Sequence, residues 1–437
     1  MYVLLLVIPI ILKELFGVSK VIIHSIAFSP DGVSTAYLYN DIALELKSED
    51  YDVVVVTTTP HFNVLESEML NQPLSKHFAG LYYTSSFKGI TVFHIPQKKF
   101  KSTLLRLIGF VWWHILSFFI VFLQTKVKVI ISPSPPLTIA IVNILVAKLK
   151  SAKTIYNVQE IYPDLLIEEG GLKSTFIISV LKKMECFVYQ YTDAVCTIDE
   201  IFYNTILNRF SKRDKLSIIP NFVDTELYFP VLEPIYSHFT SDLHDYLDEM
   251  PNDVLKVVYA GNIGHAQDWD MLLKVAEASQ HFKIVFLIIG EGVAKNDLCN
   301  SIKVKGLKNV HLFSYQKRES MPHLLAISDL QFIFMSPHVE SHGFPSKVYT
   351  VMACAKPLII SSGENTPIVN FLSKTKCALI ASDLKSKSRV NKIVEFLETI
   401  DSHKLRAMGE DGYSMIIANY SKSIITKRYE ALIRSLI

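Results

Sequence analysis

Cysteine is scarce in this sequence, and its few cysteines are not arranged to bind metal or to form disulfides. The chain has five cysteines in 437 residues, and they lie far apart with no Cys-x-x-Cys pair. A zinc finger and a disulfide-stapled secreted domain are therefore excluded, and reduced thiols in a cytoplasmic protein are expected. We expect neither a metal nor another cofactor.

An excess of charge of either sign is also missing. Lysine and arginine number 44 and aspartate and glutamate 42, which gives a formal net charge of +2. Bulk electrostatics of this size do not attract a polyanion, so nucleic acid is not an expected partner. The sequence also lacks internal repeats and low-complexity segments.

The sequence is rich in apolar residues and long. At 437 residues, it is too long for one compact core and suits two domains of about 200 residues each. Half of the residues are hydrophobic and 11% are aromatic, which is more than a typical cytoplasmic enzyme has. This composition predicts a globular protein with a surface that contacts lipid.

Two apolar segments are candidates for that surface. The first begins an N-terminal extension, residues 1–19, but at about 12 residues it is too short to span a bilayer. The second, residues 107–123, contains Trp112 and Trp113 and follows a basic group. This order favours a helix in the headgroup region, so we assign residues 98–123 as a membrane-associating segment. A helix buried in the protein and a membrane-spanning helix remain alternatives. The basic group is Lys98, Lys99, Lys101 and Arg106.

From residue 20 onward, short strand patterns alternate with helical patterns. This alternation is typical of an α/β chain with two doubly wound Rossmann-like domains, which would face each other across a ligand-binding cleft. Residues 20–219 form the first domain in this interpretation, residues 220–253 a linker or insertion, and residues 254–420 the second domain. The helix predicted at 421–437 could return to the first domain. The predicted strands are Val21–Ile26, Asp52–Thr58, Val127–Ile131, Thr154–Asn157, Ala194–Ile198 and Leu216–Ile219, then Val254–Ala260, Ile284–Ile289, Val310–Phe313, Leu330–Phe334 and Leu358–Ser361.

A glycine turn follows the first strand of each predicted domain. Gly32 follows that of the first domain, and Gly261-Asn262-Ile263-Gly264 follows that of the second. Glycine between a strand and a helix lets the backbone approach a phosphate closely, because no Cβ intervenes. A turn with a purely structural role is the alternative at each place.

Pro345-Ser346-Lys347 is a further candidate for phosphate binding, since it precedes a predicted short helix and a buried strand. Ser346 is expected to cap the helix, and Lys347 in the first turn would add a fixed cation to the helix dipole. This arrangement suits the diphosphate of a nucleotide sugar. An ordinary capped helix has the same pattern.

Four carboxylates and one histidine are also candidates. Asp268 and Asp270 have the spacing by which some transferases hold a divalent ion, but their place in the first turn of a helix favours capping. Glu160, after a strand, could orient or deprotonate an acceptor hydroxyl. Glu340 or His342 could bind hydroxyls of a donor sugar. A solvated surface position is the alternative for these three.

Short motifs follow one another along the chain: Pro30-Asp31-Gly32, Ser134-Pro135-Pro136, Glu160-Ile161-Tyr162-Pro163-Asp164, Pro220-Asn221-Phe222-Val223-Asp224, Tyr259-Ala260-Gly261-Asn262-Ile263-Gly264 with Gln267, Gly290-Glu291-Gly292, and Pro345-Ser346-Lys347 ahead of Met352-Ala353. Their order resembles that of the retaining GT-B glycosyltransferases of family 4. The greatest similarity is to the bacterial L-fucosamine transferase-like group, which works in O-antigen, capsule and exopolysaccharide assembly. The resemblance covers nearly the whole chain from residue 20.

The resemblance implies transfer of a sugar, with retention, from a nucleotide sugar such as a UDP-sugar to a lipid-linked saccharide. The protein would then bind peripherally to the cytoplasmic face of the cell membrane. In such enzymes the donor lies mainly on the second domain, and helix dipoles and basic side chains neutralise its diphosphate without a metal. The implied donor-binding residues are Gly32, Gly261, Asn262, Gly264, Gln267, Phe313, Ser346 and Lys347. The implied catalytic residues are Glu160, Glu340, His342 and Lys347.

The sequence departs from the family pattern in two places. Many relatives clamp the diphosphate with an arginine and a lysine where this chain has Asn262 and Gln267, so Lys347 is the best replacement. The paired glutamates of the family, eight positions apart, are also missing. Aligned on Met352-Ala353 they would be His342 and Thr350, whereas alignment on the preceding loop makes the first one Glu340.

Two other functions remain open. One is a sugar-nucleotide 2-epimerase, which has the same fold but no need of an apolar, basic surface at residues 98–123. The other is a catalytically silent scaffold of a polysaccharide assembly complex, which would not bind a nucleotide sugar.

Overall fold

A computed structural model describes residues 19–64, 66–97, 102–168, 171–340, 344–383 and 385–437. The chain divides into two compact units. The first contains the described residues up to Asn221 together with Ser423–Ile437, and the second contains Phe222–Lys422. Several residues of the sequence analysis lie outside the described part of the chain. They are residues 1–12, Lys98, Lys99, Lys101 and His342.

The first unit is built on a nine-stranded sheet. Its strands are β1 (Lys20–His24), β2 (Asp52–Thr58), β3 (Ser75–His77), β4 (Tyr82–Phe87), β5 (Ile90–Ile95), β6 (Val127–Pro133), β7 (Lys153–Val158), β8 (Ala194–Thr197) and β9 (Leu216–Ile218). Their order is β3-β4-β5-β2-β1-β6-β7-β8-β9. The pairs β3–β4 and β4–β5 are antiparallel, and the pairs from β5 to β9 are parallel.

Helices cover this sheet as the strand–helix alternation predicts. They are α1 (Ser34–Ser48), α2 (Glu66–Asn71), α3 (Thr103–Leu123), α4 (Leu137–Lys150), α5 (Asp164–Glu168), α6 (Thr175–Tyr191) and α7 (Glu200–Leu207). Because parallel strands need crossover connections, each pair of neighbouring parallel strands that follow one another in sequence is joined through a helix. The doubly wound arrangement predicted for this half of the chain is confirmed.

The second unit contains a six-stranded sheet in which all strands are parallel. Its strands are β10 (Leu255–Ala260), β11 (Ile284–Ile289), β12 (Val310–Phe313), β13 (Leu330–Phe334), β14 (Leu358–Ser361) and β15 (Ala378–Ala381), in the order β12-β11-β10-β13-β14-β15. Its helices are α8 (Ser241–Glu249), α9 (Trp269–Ala278), α10 (Lys295–Lys305), α11 (Met321–Ala326), α12 (Lys347–Ala353), α13 (Pro367–Leu372), α14 (Ser386–Thr399) and α15 (Ser402–Asn419). Strands β11, β13 and β14 are buried along their whole length, which explains their nearly continuous apolar sequence.

Four strands were not predicted from the sequence. Strand β3 is polar and forms the edge of the first sheet, and β4, which is rich in serine, threonine and tyrosine, lies between β3 and β5. Strand β5 pairs in parallel with β2 but has polar Thr91 and His94 inside it. Strand β15 has four residues and lies at the edge of the second sheet. Short or mixed patterns of this kind become strands because a longer neighbour offers them backbone partners.

The segment predicted as a linker, residues 220–253, packs largely within the second unit. Helix α8 lies in this segment, and its buried Leu243 joins a core cluster with Val258 of β10 and Leu287 of β11. Prolines and acidic residues break the periodicity of the segment, so the sequence hides a helix that the sheet of the second unit stabilises.

The last helix, α16 (Lys422–Leu436), packs in the first unit from Ser423 onward. Its Ile425, Tyr429 and Ile433 are fully buried. The Tyr429 hydroxyl accepts a hydrogen bond from Asn157 Nδ2 of β7 at 2.5 Å, and the Tyr51 hydroxyl donates to Glu430 at 3.3 Å.

Helix α3 packs on the sheet of the first unit through one face. Trp113 and Val121 on that face are buried and join a core cluster with Ile22 of β1. On the opposite face Leu123 is 72% exposed. Residues 104–123 are long and apolar enough to cross a membrane, and 22% of this stretch is buried in the protein. A helix buried on all sides is therefore wrong, and the membrane-associating role stays a prediction.

Candidate functional site

The carboxyl ends of β10 and β11 carry two glycine turns that pack directly on each other. Gly261 N donates to Ile289 O at 2.9 Å, and a Cβ on Gly290 would lie only 1.9 Å from Gly261 O. A Cβ on Gly292 would likewise lie 2.3 Å from Ile263 O. Gly261 and Gly290 both have φ +149°, a conformation that side chains disfavour. The two turns therefore need glycine to form one continuous backbone surface.

Lys347, the first residue of α12, lies against this surface. Its Nζ lies 3.6 Å from the centroid of the Tyr259 ring and 3.4 Å from Ala260 O. A Cβ on Gly261 would lie 2.8 Å from the same Nζ, so the glycine leaves the space that the ammonium occupies. Burial lowers the pKa of Lys347 to about 7. Lys347 as a whole residue is partly exposed.

Ser346 does not cap α12, contrary to the expectation from sequence. Its own φ and ψ are helical, and its side chain makes no capping hydrogen bond. Instead, Val348 N bonds to Pro345 O at 3.0 Å and Tyr349 N to Ser346 O at 3.1 Å. These backbone bonds begin the helical turn before Lys347 and leave the Ser346 side chain exposed.

Glu340 lies near the carboxyl end of β14. Its Oε2 accepts a hydrogen bond from Gly363 N at 2.6 Å and one from Ser362 Oγ at 3.4 Å. The loop after β14 thus fixes the carboxylate in the second unit. His342, the alternative to Glu340 in the sequence analysis, lies outside the described residues.

The three other residues of the predicted β10 turn have different surroundings. Asn262 is exposed, and its carbonyl accepts from Tyr259 Oη at 2.7 Å. The Gly264 carbonyl accepts from Trp269 Nε1 at 2.9 Å. Gln267 forms an isolated β-bridge with Met335, and its Oε1 is buried. Asn262 is thus the most accessible side chain of the three.

Phe313 is part of the core, so its side chain cannot contact a nucleotide base. It is 6% exposed and packs against Tyr246 of α8. Its carbonyl accepts from Gly290 N at 3.2 Å. The predicted donor contact through the Phe313 side chain is therefore wrong.

Lys295 is a second cation at this edge, and the sequence analysis missed it. Its Nζ donates to Gly290 O at 3.0 Å, to Phe313 O at 3.3 Å and to Glu291 Oε1 at 2.6 Å. The available signal was the spacing of Glu291 and Lys295, four residues apart at the start of α10. Lys295 ties together the ends of β11 and β12.

Asp268 and Asp270 have structural roles, as their position predicts. Asp268 Oδ1 accepts from Met271 N at 3.0 Å and caps α9. Asp270 pairs with Lys274 at 2.6 Å. In the part of the chain that the structure describes, no group of three or more His, Cys, Asp or Glu side chains could hold a metal ion.

In the first unit, the loop with Gly32 is built onto the loop after β2. Gly32 N donates to Phe62 O at 2.8 Å, and a Cβ on Gly32 would lie 2.5 Å from Asn63 O. The buried Asp31 Oδ1 accepts from the backbone N–H groups of His61 and Phe62, both at 2.8 Å. Burial raises the pKa of Asp31. Glycine is required here by contact between two loops.

Glu160 lies in the loop after β7, which Ser134 holds in place. Ser134 Oγ donates to Glu160 O at 2.7 Å and accepts from Glu160 N at 3.0 Å. Ser134 itself follows β6, so the carboxyl ends of two neighbouring strands position this glutamate. The structure thus places Gly261, Asn262, Lys347 and Glu340 in the second unit, and Gly32 and Glu160 in the first.

Comparison with known proteins extends this description. Residues 248–415 match the family described as "Glycosyl transferases group 1". The chain is 22% identical over 356 residues to WcaI of Escherichia coli K12, a protein assigned as a colanic acid biosynthesis glycosyl transferase. The match covers 80% of this chain and 84% of WcaI.

Two solved structures are similar over nearly the whole chain. Sucrose-phosphate synthase from Thermosynechococcus elongatus has a TM-score of 0.70 at 14% identity, with 96% of this chain and 99% of the synthase covered. HepE from Anabaena, in complex with UDP and glucose, has a TM-score of 0.68 at 13% identity, with 95% of this chain and 100% of HepE covered. The chain therefore has the GT-B fold, and its residues 248–415 are similar to the group 1 glycosyl transferases.

Proposed function

We propose that this protein is a glycosyltransferase that moves a sugar from a UDP-sugar to a lipid-linked saccharide in the assembly of a bacterial surface polysaccharide. The observation that carries the proposal is the position of Lys347 over the paired glycine turns of β10 and β11. Two comparisons support it: WcaI is assigned to colanic acid biosynthesis, and HepE is a neighbour in fold solved with UDP and glucose.

In this proposal the diphosphate lies on the glycine surface of the second unit, next to the Lys347 ammonium. A backbone surface without Cβ atoms lets phosphate oxygens approach peptide N–H groups closely. Lys347 supplies the positive charge that stabilises the leaving diphosphate. Asn262 and the exposed Ser346 hydroxyl add polar contacts, and Glu340 binds hydroxyls of the donor sugar.

We further propose that the reaction proceeds with retention, with the leaving phosphate taking part in removing the acceptor proton. Glu160 would orient the acceptor hydroxyl from the first unit. Lys347 and the backbone neutralise the diphosphate in this scheme, so transfer needs no divalent ion. The engagement of Asp268 with α9 and of Asp270 with Lys274 supports this point.

Two measurements test this proposal: binding of UDP to the protein, and transfer of a sugar from a nucleotide sugar to a lipid acceptor. UDP at millimolar concentration should raise the melting temperature, and a donor screen with membrane lipid extract as acceptor should release UDP and yield a glycosylated lipid. Donor binding with release of a free epimerised sugar would favour the 2-epimerase. No thermal shift with UDP or any UDP-sugar would favour the scaffold.

We also propose that the first unit binds the cytoplasmic face of the cell membrane through α3, α4 and α6. More than half of the exposed large hydrophobic side chains in the described residues lie on these three helices, and α4 packs against both α3 and α6. Exposed apolar surface of this extent marks an interaction site.

The charge of these helices matches an anionic lipid surface. They contain one acidic residue, Glu185, which is buried and bonded to Arg209 at 2.6 Å. Five basic residues accompany it: Arg106, Lys148, Lys150, Lys182 and Lys183. Each basic residue near an anionic surface adds about 1 kcal/mol of binding free energy. The face is thus both apolar and basic, as interfacial binding requires.

Vesicle sedimentation tests this second proposal. The triple variant Lys148→Glu, Lys150→Glu and Lys183→Glu should bind phosphatidylglycerol vesicles more weakly, with a partition coefficient at least about a hundredfold lower than that of the wild type. Replacing the same number of exposed lysines on the second unit, Lys303, Lys387 and Lys392, is the matched control. Equal retention of both variants would contradict the membrane role.

A further inference from the structure

An open apolar groove of about 460 Å³ lies between α3 and α4 of the first unit. Phe110, Ile115 and Phe119 of α3 line one side, and Ile141 and Val142 of α4 line the other. The residues that line the groove all belong to these two helices. Its lining offers hydrocarbon and aromatic surface, the kind that an aliphatic chain buries favourably.

The two polar side chains in the groove satisfy each other. His114 Nδ1 donates to Phe110 O at 2.7 Å, so its Nε2 accepts from Thr138 Oγ1 at 2.8 Å. Burial lowers the pKa of His114, which keeps the ring neutral. The groove therefore presents no charge to an occupant, and an apolar chain loses no polar contact by entering it.

The position of the groove connects it with the candidate acceptor loop. Thr138 lies in the first turn of α4, four residues after Ser134, whose hydroxyl holds both backbone groups of Glu160. One end of the groove thus lies beside the carboxyl ends of β6 and β7. Beyond the lining residues, Lys150 Nζ of α4 donates to Phe122 O of α3 at 2.7 Å. A molecule with a polar head near Glu160 could extend its chain along the groove.

We propose that this groove binds the single hydrocarbon chain of the lipid-linked acceptor. The inference rests on the proposed function and names the part of the acceptor that the first unit recognises. The occupant is assigned from the uncharged lining of the groove and from Thr138, which places the groove next to the Ser134–Glu160 loop where the saccharide of the acceptor would lie. In this proposal the surrounding face of α3, α4 and α6 contacts the bilayer, and the hydrocarbon chain of the acceptor moves from the bilayer into the groove.

The experiment uses a polyprenyl phosphate with a diazirine in its chain as a photoreactive probe, with the full-length protein in neutral detergent. Labelled peptides from residues 103–150 are identified by mass spectrometry. Ile115→Trp fills the groove without adding charge, because Ile115 lines it and is 43% exposed. Ile108→Trp makes the same change on the same helix outside the groove, where Ile108 is 55% exposed.

Labelling of these peptides should fall at least about tenfold in Ile115→Trp and stay unchanged in Ile108→Trp. Val111→Trp, which also lines the groove, should behave like Ile115→Trp and serves if that variant does not fold. Unlabelled polyprenyl phosphate should compete with the probe, and dioleoyl phosphatidylglycerol should not.

Three outcomes would overturn the inference. The first is labelling that does not fall in Ile115→Trp or Val111→Trp, and the second is labelling confined to peptides outside residues 103–150. The third is equal competition by phosphatidylglycerol, which would mean that the probe contacts the protein as bulk lipid does. UDP protection is measured in parallel. Lost labelling with UDP binding intact rejects the groove alone, and intact labelling without any UDP binding rejects the proposed donor.

Discussion

At the scale of single residues, three contacts define the surroundings of Lys347. Its ammonium lies over the Tyr259 ring, contacts the carbonyl of Ala260 and adjoins a glycine that cannot be enlarged without moving it. Among the residues that the structure describes, no carboxylate forms an ion pair with Lys347, so its charge gains little in the free protein. An arriving diphosphate would supply the missing counter-charge, which is why we place the donor here.

Replacement of Lys347 by alanine should weaken UDP binding or transfer by about tenfold to a thousandfold, the range for loss of one charge contact to the leaving group. Isothermal titration with UDP and steady-state kinetics measure the two effects separately. Lys303→Ala, at an exposed position on α10, is the control and should behave as the wild type. Unchanged binding and kinetics in Lys347→Ala would remove Lys347 from the mechanism.

The lowered pKa of Lys347 predicts a pH dependence of UDP binding. In the free protein this pKa is about 7, and a bound phosphate favours the charged form and raises it. Binding should therefore be tightest below pH 7 and weaken by up to about tenfold per pH unit above it, until the pKa of the complex is passed.

The dissociation constant of UDP measured between about pH 6 and pH 9 checks this prediction. Lys347→Arg provides the comparison, since arginine keeps its charge throughout this range. Its profile should be flat above pH 7. Identical profiles for the wild type and Lys347→Arg would show that another group titrates.

At the scale of elements, neighbouring residues of one motif can have unequal roles. Asp268 and Asp270 share the spacing of a metal-binding pair, yet one caps α9 and the other forms an exposed ion pair within the helix. The first interaction satisfies a backbone N–H that would lack a helical partner. The second joins two side chains in water.

Asp268→Ala should therefore lower the stability of the second unit by about 1 kcal/mol, the usual effect of losing an N-cap. Asp270→Ala should change it by less than about 0.5 kcal/mol, as expected of an exposed i,i+4 ion pair. Thermal unfolding of both variants measures the difference. A larger loss in Asp270→Ala, or loss of transfer restored by Mn²⁺, would indicate a metal-binding role instead.

At the scale of the whole molecule, the order of the helices and strands in the sequence differs from their division between the two units. The last helix, α16, belongs to the first unit although the entire second unit precedes it in sequence. Its fully buried Tyr429 bonds to Asn157 of β7. Without α16, the first unit would therefore lack part of its buried core.

Tyr429→Ala should destabilise the first unit by about 3 kcal/mol, as the loss of a buried aromatic ring does. Hydrogen exchange locates the effect, which should appear in peptides of β7 and β8, which carry Asn157 and Cys196 beside the Tyr429 ring, and spare those of β10 and β11. Lys427→Ala, on the exposed side of the same helix, is the control. Equal loss of protection in the second unit would contradict this assignment.

The sequence by itself determined the two α/β halves. Five strands begin and end as predicted, namely β2, β11, β12, β13 and β14, and β7, β8, β9 and β10 do so to within one residue at each end. These elements depend on local apolar patterns, which a single sequence displays. The glycine turns and Lys347 could be found in the same way, because their meaning follows from the strand or helix beside them.

Only the tertiary structure decided which of these residues meet. The contact of Gly290 with Gly261, the position of Lys347 over Tyr259, the burial of Phe313 and the return of α16 to the first unit join residues far apart in sequence. Likewise, α3 shows one apolar pattern on both of its faces, and only packing on the sheet separates the buried face from the exposed one. The local spacing of apolar residues predicts a helix or a strand, whereas the order of the strands in the sheet determines which helices and strands contact one another.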